Sequence, residues 1–400
     1  LGRDQQAMQV AQRLAADASP PERAWALSLL GNLYMIYRTP QEALATLRAG
    51  VVADPDNAHA WDNLSSAELE LDHMEDGYRH TQKALSLYDK GAVAFDPERV
   101  AIVKLQDRAL LASVVDDYPQ AIAMDEAIRR LPDRSSSEEK ATVDEAGQAA
   151  LDHDLKRAGD LLSHVHAKGT DERLNLWFQR IDVAWSEHDW RMLSHLVGNT
   201  DIAGTVDASL RPVVGRILAR LPTSLYADAR AEEGDIAGAR ALIGSTPLDG
   251  YACLLMRGRI ETTAGDWTGA THWFARAAQA GPSIPDAFAD WGEMLLRKRD
   301  YDGAIGKFEI AHAKGPHFAD PLEMWGEALM VKNRSDLALA KFEEANKYAP
   351  NWGRLHLKWG EALDYVGQKK DAQAEFARAA HLDLFPAEKR ELQQHGANHG

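Results

Sequence analysis

The sequence predicts an all-α, right-handed superhelical solenoid built from about ten helical hairpins. Three observations support this prediction: glycine, alanine and phenylalanine recur every 34 residues in the C-terminal part of the chain, and prolines close three of the units. A fixed period of about 20 to 50 residues is typical of repeat architectures. The repeated positions are Gly258, Gly292, Gly326 and Gly360; Ala270, Ala304, Ala338 and Ala372; Phe274, Phe308, Phe342 and Phe376; Ala277, Ala311, Ala345 and Ala379; and Pro282, Pro316 and Pro350.

The residue types at these positions indicate that each unit is a pair of helices. Glycine and alanine allow two helices to approach closely, and the phenylalanine fills the space between them. Proline ends the second helix because it has no backbone N–H to donate. The sequence therefore predicts a helical hairpin in each 34-residue unit.

This pattern resembles the tetratricopeptide repeat (TPR) family, and the resemblance is specific over residues 251–384. The family signature has a bulky residue, Leu-Gly and Tyr in the first helix, followed by Ala, Phe, Ala and a final Pro. This chain departs from it by carrying tryptophan at the seventh position of a unit, where the family has it at the fourth. The residues concerned are Trp291, Trp325 and Trp359 at the seventh position, and Phe288, Leu322 and His356 at the fourth.

The remainder of the chain follows the same pattern less strictly, which predicts four regions. Residues 1–91 contain TPR-like repeats, of which the first lacks its first helix, and residues 92–250 contain degenerate hairpins. Residues 251–384 form four regular repeats, and residues 385–400 form a polar capping helix and a tail. The degenerate hairpins align on Ala121, Ala158, Leu193 and Ala239.

The start of the chain is typical of a piece of a larger protein. The segment DQQAMQVAQRLAADASP has the pattern of a second repeat helix, with Ala7, Ala11 and Leu14 on one face, and no first helix precedes it. The chain begins at Leu1 without an initiator methionine or a signal-peptide pattern. We therefore expect that further sequence precedes it.

Charge and composition argue against several classes of partner. The formal net charge is -16, from 45 basic and 61 acidic side chains, and such a chain repels nucleic acid and anionic membrane surfaces. No apolar run approaches the roughly 20 residues of a membrane span. The single cysteine, Cys253, cannot form an internal disulfide. We expect a cytoplasmic protein that binds neither nucleic acid nor membranes.

Residues that could support catalysis or metal binding are not arranged for either. Among the 15 histidines, His164 and His166 are two residues apart and would point to different faces of a helix, and none of the histidines in this region forms an H-x-x-x-H pair with a nearby acid. His395 and His399 are interpreted as part of a frayed tail. No phosphate-binding or nucleophile motif is present. Cys253 has no base beside it and is expected to be an inert thiol. The sequence predicts no enzyme, no cofactor and no metal site.

An aromatic cluster in RLNLWFQRIDVAWSEHDW leaves two interpretations open. Trp177 and Trp185 are eight residues apart and share one helical face, with Phe178 and Trp190 nearby. These side chains could fill the core of a hairpin, or they could form an apolar surface on which a partner docks.

The inner face of the repeats carries the candidate binding residues. Positions 2, 5, 9 and 12 of each first helix share a face separate from the buried stripe, and position 9 is glutamate in three consecutive units. Stacked repeats would place these glutamates in a ladder that suits a basic partner; a solvated acidic face without a ligand is the alternative. The candidate residues are Arg259, Glu293, Arg297, Asp320, Glu323, Glu327, Glu361 and Asp364.

The resemblance to the TPR family implies a protein-interaction scaffold or a regulatory module that binds a peptide or partner protein in its concave groove. Two alternatives remain open at this point. The chain could be the TPR portion of a larger enzyme or signalling protein whose effector domain is absent, or a self-assembling module that binds copies of itself.

Overall fold

The computed structural model describes residues 2–37, 39–91, 97–131, 138–165, 170–198 and 219–397. Within these ranges the chain forms 22 α-helices and no β-strand, and none of these helices is both long enough and apolar enough to cross a membrane. In chain order they are α1 (Gly2–Asp17), α2 (Pro20–Tyr37), α3 (Pro40–Ala53), α4 (Ala58–Glu70), α5 (Met74–Asp89), α6 (Pro97–Val114), α7 (Tyr118–Arg129), α8 (Glu138–Leu151), α9 (Leu155–Ser163), α10 (Thr170–Ser186), α11 (Trp190–Gly198), α12 (Leu221–Glu232), α13 (Ile236–Ile243), α14 (Tyr251–Thr263), α15 (Trp267–Ala280), α16 (Asp286–Arg297), α17 (Tyr301–Lys314), α18 (Ala319–Val331), α19 (Ser335–Ala345), α20 (Gly353–Tyr365), α21 (Lys369–Ala380) and α22 (Pro386–Ala397).

Consecutive helices pair as hairpins that stack into a solenoid. Within the described ranges there are ten such hairpins, from α2–α3 to α20–α21, which confirms the predicted fold class of about ten hairpins. One additional helix lies at each end: α1 packs against α2, and α22 packs against α20 and α21. Ala11 of α1 is buried as predicted, whereas Leu14 is 41% exposed. The division of the chain at residues 91, 250 and 384 stays a prediction.

Close contact between a glycine and a phenylalanine holds each regular hairpin together. A Cβ atom at Gly292 would lie 2.4 Å from Cε1 of Phe308, and one at Gly258 would lie 2.4 Å from Cε1 of Phe274. Gly326 and Gly360 face the phenylalanines of their own hairpins in the same way. The 34-residue spacing therefore reflects a contact in which the aromatic ring occupies the space left by the missing side chain.

The irregular hairpins between residues 92 and 250 bury the residues on which their sequence alignment rests. Ala121, Ala158, Leu193 and Ala239 each lie on the second helix of a hairpin and are fully buried. The gap between Leu193 and Ala239 is longer than one repeat, and residues 199–218 within it lie outside the described ranges.

The turns inside the hairpins share one backbone feature. In most of the described hairpins, the residue two positions after the first helix has a positive φ. This residue is not a glycine at Asp72, Asp116, His153, His188, Arg299 and Asn333, and it is a glycine at Gly234, Gly265 and Gly367. Aspartate and asparagine tolerate this left-handed conformation better than most residues. An aspartate commonly follows this residue and caps the N-terminus of the second helix. Asp117, for example, accepts a hydrogen bond from the backbone N–H of Gln120.

The solenoid winds far enough for its C-terminal repeats to dock on its N-terminal repeats. The carboxylate of Asp72, in the turn between α4 and α5, accepts hydrogen bonds from the backbone N–H groups of Ala252 at 2.9 Å and Cys253 at 3.2 Å. Helix α14 begins after Gly250, which has no side chain with which to cap it, and a Cβ at Gly250 would clash with Asp72. Asp72 therefore caps a helix that begins 180 residues later in the chain.

Similar contacts continue along the whole junction, which we call the seam. In each contact a hairpin turn from the first half of the chain meets the start of a first helix from the second half. This offset indicates that about six repeats complete one superhelical turn. The pairs are Asp72 with Ala252 and Cys253; Glu75 with Ser283; Asp117 with His317; His153 with Asp320 and Trp352; Asp154 with Asn351; and His188 with Phe385.

We predict opposite effects for two glycine substitutions in the same hairpin. Gly292→Ala forces a methyl group against Phe308 and should destabilise the fold by about 1 to 3 kcal/mol, the usual cost of overpacking. Gly306→Ala on α17 meets no atom within 4 Å and should stabilise the helix by about 0.5 to 1 kcal/mol. Thermal unfolding followed by circular dichroism measures both effects. A change in the same direction for both variants would contradict the proposed hairpin contact.

Candidate partner-binding cavity

The inner faces of the first helices and the seam together enclose a cavity of about 1010 Å³. Helices α10, α12, α14, α16 and α18 supply most of its wall, and the hairpin turns of the first superhelical turn and residues near α20 and α22 supply much of the remainder. The cavity is therefore the interior of the superhelix and not a pocket on its surface.

Six of the eight residues predicted from the sequence line this cavity, and two do not. Glu361 lies under α22, where it contacts Lys358 at 3.2 Å and His395 at 3.0 Å. Asp364 pairs with Lys369 at 2.6 Å, near the turn that follows α20. The six that line the cavity are Arg259, Glu293, Arg297, Asp320, Glu323 and Glu327.

The lining of the cavity is strongly acidic. Thirteen carboxyl side chains face four arginines there, so the lining carries an excess of nine negative charges when every carboxyl is ionised and histidine is neutral. The carboxyl residues are Glu70, Asp72, Asp116, Asp182, Asp228, Glu232, Asp286, Asp290, Glu293, Asp320, Glu323, Glu327 and Glu388, and the arginines are Arg220, Arg259, Arg297 and Arg354.

Two arginines of the chain itself neutralise part of this charge. Arg259 contacts Asp228 at 3.3 Å and Asp290 at 3.1 Å, and its guanidinium lies 4.9 Å from the ring centroid of Trp185. In the repeat before the predicted glutamate ladder, Arg259 is thus a cation that links acids on α12 and α16.

Arg354 neutralises the ladder in the same way further along. It forms an ion pair with Glu327 and lies 3.4 Å from Glu323 and 3.8 Å from Glu388. Glu293 is the ladder member that stays most open, since its side chain is 36% exposed and it meets Arg297 only at 3.8 Å.

Several carboxyl groups deeper in the cavity have at least one oxygen without a hydrogen-bond partner, although Asp228 and Glu323 each lie near an arginine. Asp116 is 3% exposed, and its Oδ1 accepts a hydrogen bond from Tyr118 Oη whereas its Oδ2 has no partner. Asp228 Oδ1 and both oxygens of Glu323 also lack a hydrogen-bond partner, and these two residues are 1% and 0% exposed. Leaving a buried carboxylate oxygen unpaired is costly, so protonation or a bound cation would relieve the strain.

Burial raises the pKa of several of the cavity carboxyl groups. It raises the pKa of Asp286 to about 6 and that of Asp290 to about 7, although Arg259 acts in the opposite direction on both groups. Burial alone raises the pKa of Asp182 to about 7. Burial, followed by the nearby charge of Asp286, holds the pKa of Asp116 well above its usual range.

The aromatic cluster noted in the sequence is divided between the core and the cavity. Trp177 is buried in the core, and its Nε1 donates to the carbonyl oxygen of Leu196 at 3.2 Å. Phe178, Trp185 and Trp190 line the cavity, so the two interpretations apply to different members of the cluster. Their rings supply apolar surface opposite the acidic wall.

Metal binding and thiol chemistry have little support in the described ranges. No group of three histidine, cysteine or carboxyl side chains there is arranged to hold a metal ion. Cys253 is fully buried, and burial raises the pKa of its thiol to about 11. A thiol with so high a pKa is a weak nucleophile at neutral pH.

Sequence reasoning missed the acids contributed by the irregular repeats. Asp182 and Asp228 lie six residues before His188 and Gly234, the residues with positive φ in their turns. Glu293 stands in the same relation to Arg299. Aligning the repeats on their turn residues would have placed these acids on the inner face. The regular 34-residue spacing does not extend into the irregular repeats, so it could not identify them.

Comparison with solved structures gives matches to helical proteins. The crystal structure of the APC/C hetero-tetramer Cut9–Hcn1 matches 95% of this chain and 76% of that chain, with 12% sequence identity and a TM-score of 0.54. The crystal structure of MamA matches 39% of this chain and 92% of that chain, with 19% identity and a TM-score of 0.33. No protein-family profile and no curated protein matches the chain. The match over nearly the whole chain shows the TPR-type solenoid fold that the sequence predicts.

The raised carboxyl pKa values predict that stability falls as pH rises. A group whose pKa is higher in the folded state stabilises the fold fully below its unfolded pKa, near 4, and loses that contribution as pH rises through the folded value. The melting temperature of the protein alone should therefore fall between pH 5.5 and pH 8. His59, His188 and His312, whose pKa burial lowers, act in the opposite direction but are fewer.

Asp182→Asn tests this prediction with a single group. It removes a carboxyl whose pKa burial raises to about 7, so it should stabilise the fold at pH 8, by roughly 4 kcal/mol at most, and by about half as much at pH 5.5. Differential scanning calorimetry at both pH values measures the effect. An equal change in melting temperature at both values would count against the assigned cause.

Proposed function

We propose that this TPR-type solenoid is a protein-interaction module that binds a short, basic segment of a partner protein inside its superhelix. The observation that carries the proposal is the cavity itself, where the acidic inner faces of five successive described hairpins converge on one space. The partner segment would lie along the axis of the superhelix and contact one hairpin after another.

The size of the cavity suits a segment of a few residues. Binding pockets for small ligands range from about 300 to 1,000 Å³, and this cavity lies at the upper end of that range. Aromatic and aliphatic side chains such as Trp185, Leu255 and Phe318 provide apolar contact beside the carboxyl groups. A lysine or arginine side chain has the matching composition, with an apolar stem and a charged head.

Charge supports a basic partner and argues against nucleic acid. The excess of acidic side chains in the lining attracts cations and repels phosphate groups. Glu293 and Arg297 lie at the more exposed side, whereas Asp116, Asp228 and Glu323 are almost completely buried. A basic segment would meet increasingly buried carboxyl groups as it enters, which favours the cationic over the neutral form of its side chains.

We predict that a fluorescein-labelled peptide of twelve residues, rich in lysine and arginine, binds the protein and that added salt weakens binding. Replacing Glu293 and Glu327 together with glutamine removes two cavity charges without changing side-chain shape. Affinity measured by fluorescence anisotropy should fall about tenfold, the loss expected for two partly screened charges. Circular dichroism checks that the helix content is unchanged.

The matched control is the double variant Asp302→Asn and Asp364→Asn, which removes two charges outside the cavity. Asp302 is 83% exposed and pairs with Lys332, and Asp364 pairs with Lys369. The control should bind the peptide as the wild type does. Equal losses in both double variants, or equal binding of an acidic peptide of the same length, would overturn the proposal.

A further inference from the structure

We propose that the buried end of the cavity is a binding site for an alkylammonium group, formed by Asp116, Asp286, Asp290 and Asp320. We call these four residues the carboxyl cluster. The ligand is the primary amine of a lysine side chain or of a free linear polyamine. The inference uses the cavity of the proposed function, but a free polyamine would bind there whether or not a partner protein does.

The carboxyl cluster exists only because the seam closes. Asp116 belongs to the hairpin turn between α6 and α7, whereas Asp286 and Asp290 lie on α16 and Asp320 lies near the start of α18. Gly315, just before α18, lies against the carbonyl oxygen of Val115, so the two superhelical turns touch directly at this point. The four carboxyl groups are thus gathered from two superhelical turns.

The cluster lacks enough cations of its own. Its nearest basic partners are Arg259, which contacts Asp290 at 3.1 Å, and His153, whose Nε2 lies 2.8 Å from Asp320 Oδ1. Asp116 is paired with neither, and its Oδ2, in a side chain 3% exposed, has no hydrogen-bond partner. Asp116 is one of the residues that line the cavity, and its unpaired oxygen is the independent sign that a donor from a ligand belongs there.

An alkylammonium group fits the cluster better than a metal ion does. In the part of the chain that the structure describes, no three carboxyl or histidine side chains are close enough together to hold a metal. An ammonium group instead donates three hydrogen bonds of about 2.7 to 2.9 Å, so it can serve carboxylates spaced more widely around it. Ile284, Leu255 and Phe318 line the same cavity and can cover the methylene chain.

Binding of a cation should also release protons. Burial, the charge of Asp286 and then those of Asp320 and Asp290 raise the pKa of Asp116, while a hydrogen bond from Tyr118 lowers it. Arg259, His153 and Tyr251 also contact the cluster. The charges of Glu293, Asp228 and Asp152 act on it as well. An ammonium group favours the ionised carboxylates, so protons held by the cluster at pH 7 leave when the ligand enters.

Isothermal titration calorimetry of the full chain with spermidine tests the proposal. The wild type should bind, and the measured enthalpy should differ between phosphate and Tris buffers because protons are released. Asp116→Asn should weaken binding by about tenfold or more and reduce the proton release. The variant should fold, because asparagine keeps a hydrogen-bond acceptor for Tyr118 and removes a buried charge. The matched control Asp302→Asn should bind as the wild type does, and spermidine acetylated at both primary amines should bind weakly.

A second titration distinguishes the two sources of the amine. A neutral peptide with one central lysine is compared with the same peptide carrying acetyl-lysine, on the wild type and on Asp116→Asn. If the lysine peptide binds the wild type better than the acetyl-lysine peptide does, and loses this advantage in Asp116→Asn, the site binds lysine side chains. If spermidine binding depends on Asp116, the site binds a polyamine.

The outcomes separate this inference from the proposed function. If spermidine and the lysine peptide bind Asp116→Asn as tightly as the wild type, or bind neither protein, the carboxyl cluster is not an amine site. If the basic peptide still binds and its affinity still falls when Glu293 and Glu327 are replaced, the proposed function is unaffected. If spermidine binds through Asp116 while no peptide binds, the inference stands and the proposed function fails.

Discussion

The cap that Asp72 supplies to a helix beginning 180 residues later is the contact on which the other features of the structure depend. Without it and its neighbours along the seam, the hairpins would form an open solenoid whose inner face is a broad groove. With them, one superhelical turn rests on the next, and the groove becomes an enclosed space. The capping is specific because Gly250 leaves room for Asp72, and because the first helices α14, α16, α18 and α20 have no side-chain cap of their own.

The enclosed space concentrates charge that an open groove would leave solvated. Carboxyl groups such as Asp116 and Glu323 lose water when the seam closes, which raises their pKa and costs stability at neutral pH. Arg259 and Arg354 offset part of this cost through ion pairs with two or more acids each. A chain selected only for stability would have apolar residues there, so the retained acids favour a role in binding.

The repeat pattern predicted the fold and part of the lining of the cavity. The 34-residue spacing reports a local contact, such as that between Gly292 and Phe308, which every regular hairpin repeats. The inner-face positions followed from helix geometry, which is why Glu293, Glu327 and Asp320 were predicted and do line the cavity. Glu361 was predicted on the same rule, but the last repeat has no following hairpin, and α22 covers that position.

The seam could not be predicted because its contacts have no period. Each joins a turn residue to a position about 200 residues away, and the partners differ in type from one contact to the next. The number of repeats in a superhelical turn depends on small rotations between hairpins, which the sequence pattern does not specify. The acids of the irregular repeats, such as Asp228, were missed for the related reason that their spacing varies.

A disulfide across the seam tests the central claim most directly. Asp154 and Asn351 form a hydrogen bond of 2.8 Å between side chains, and the chain's only cysteine, Cys253, is buried. The double variant Asp154→Cys and Asn351→Cys should form an internal disulfide on mild oxidation, seen as a faster-migrating band in non-reducing electrophoresis. In the control, Asp154→Cys with Asp364→Cys, the second cysteine lies at the opposite end of α20, and it should not crosslink. Failure of the first pair to crosslink, or equal crosslinking of both pairs, would contradict a closed superhelix.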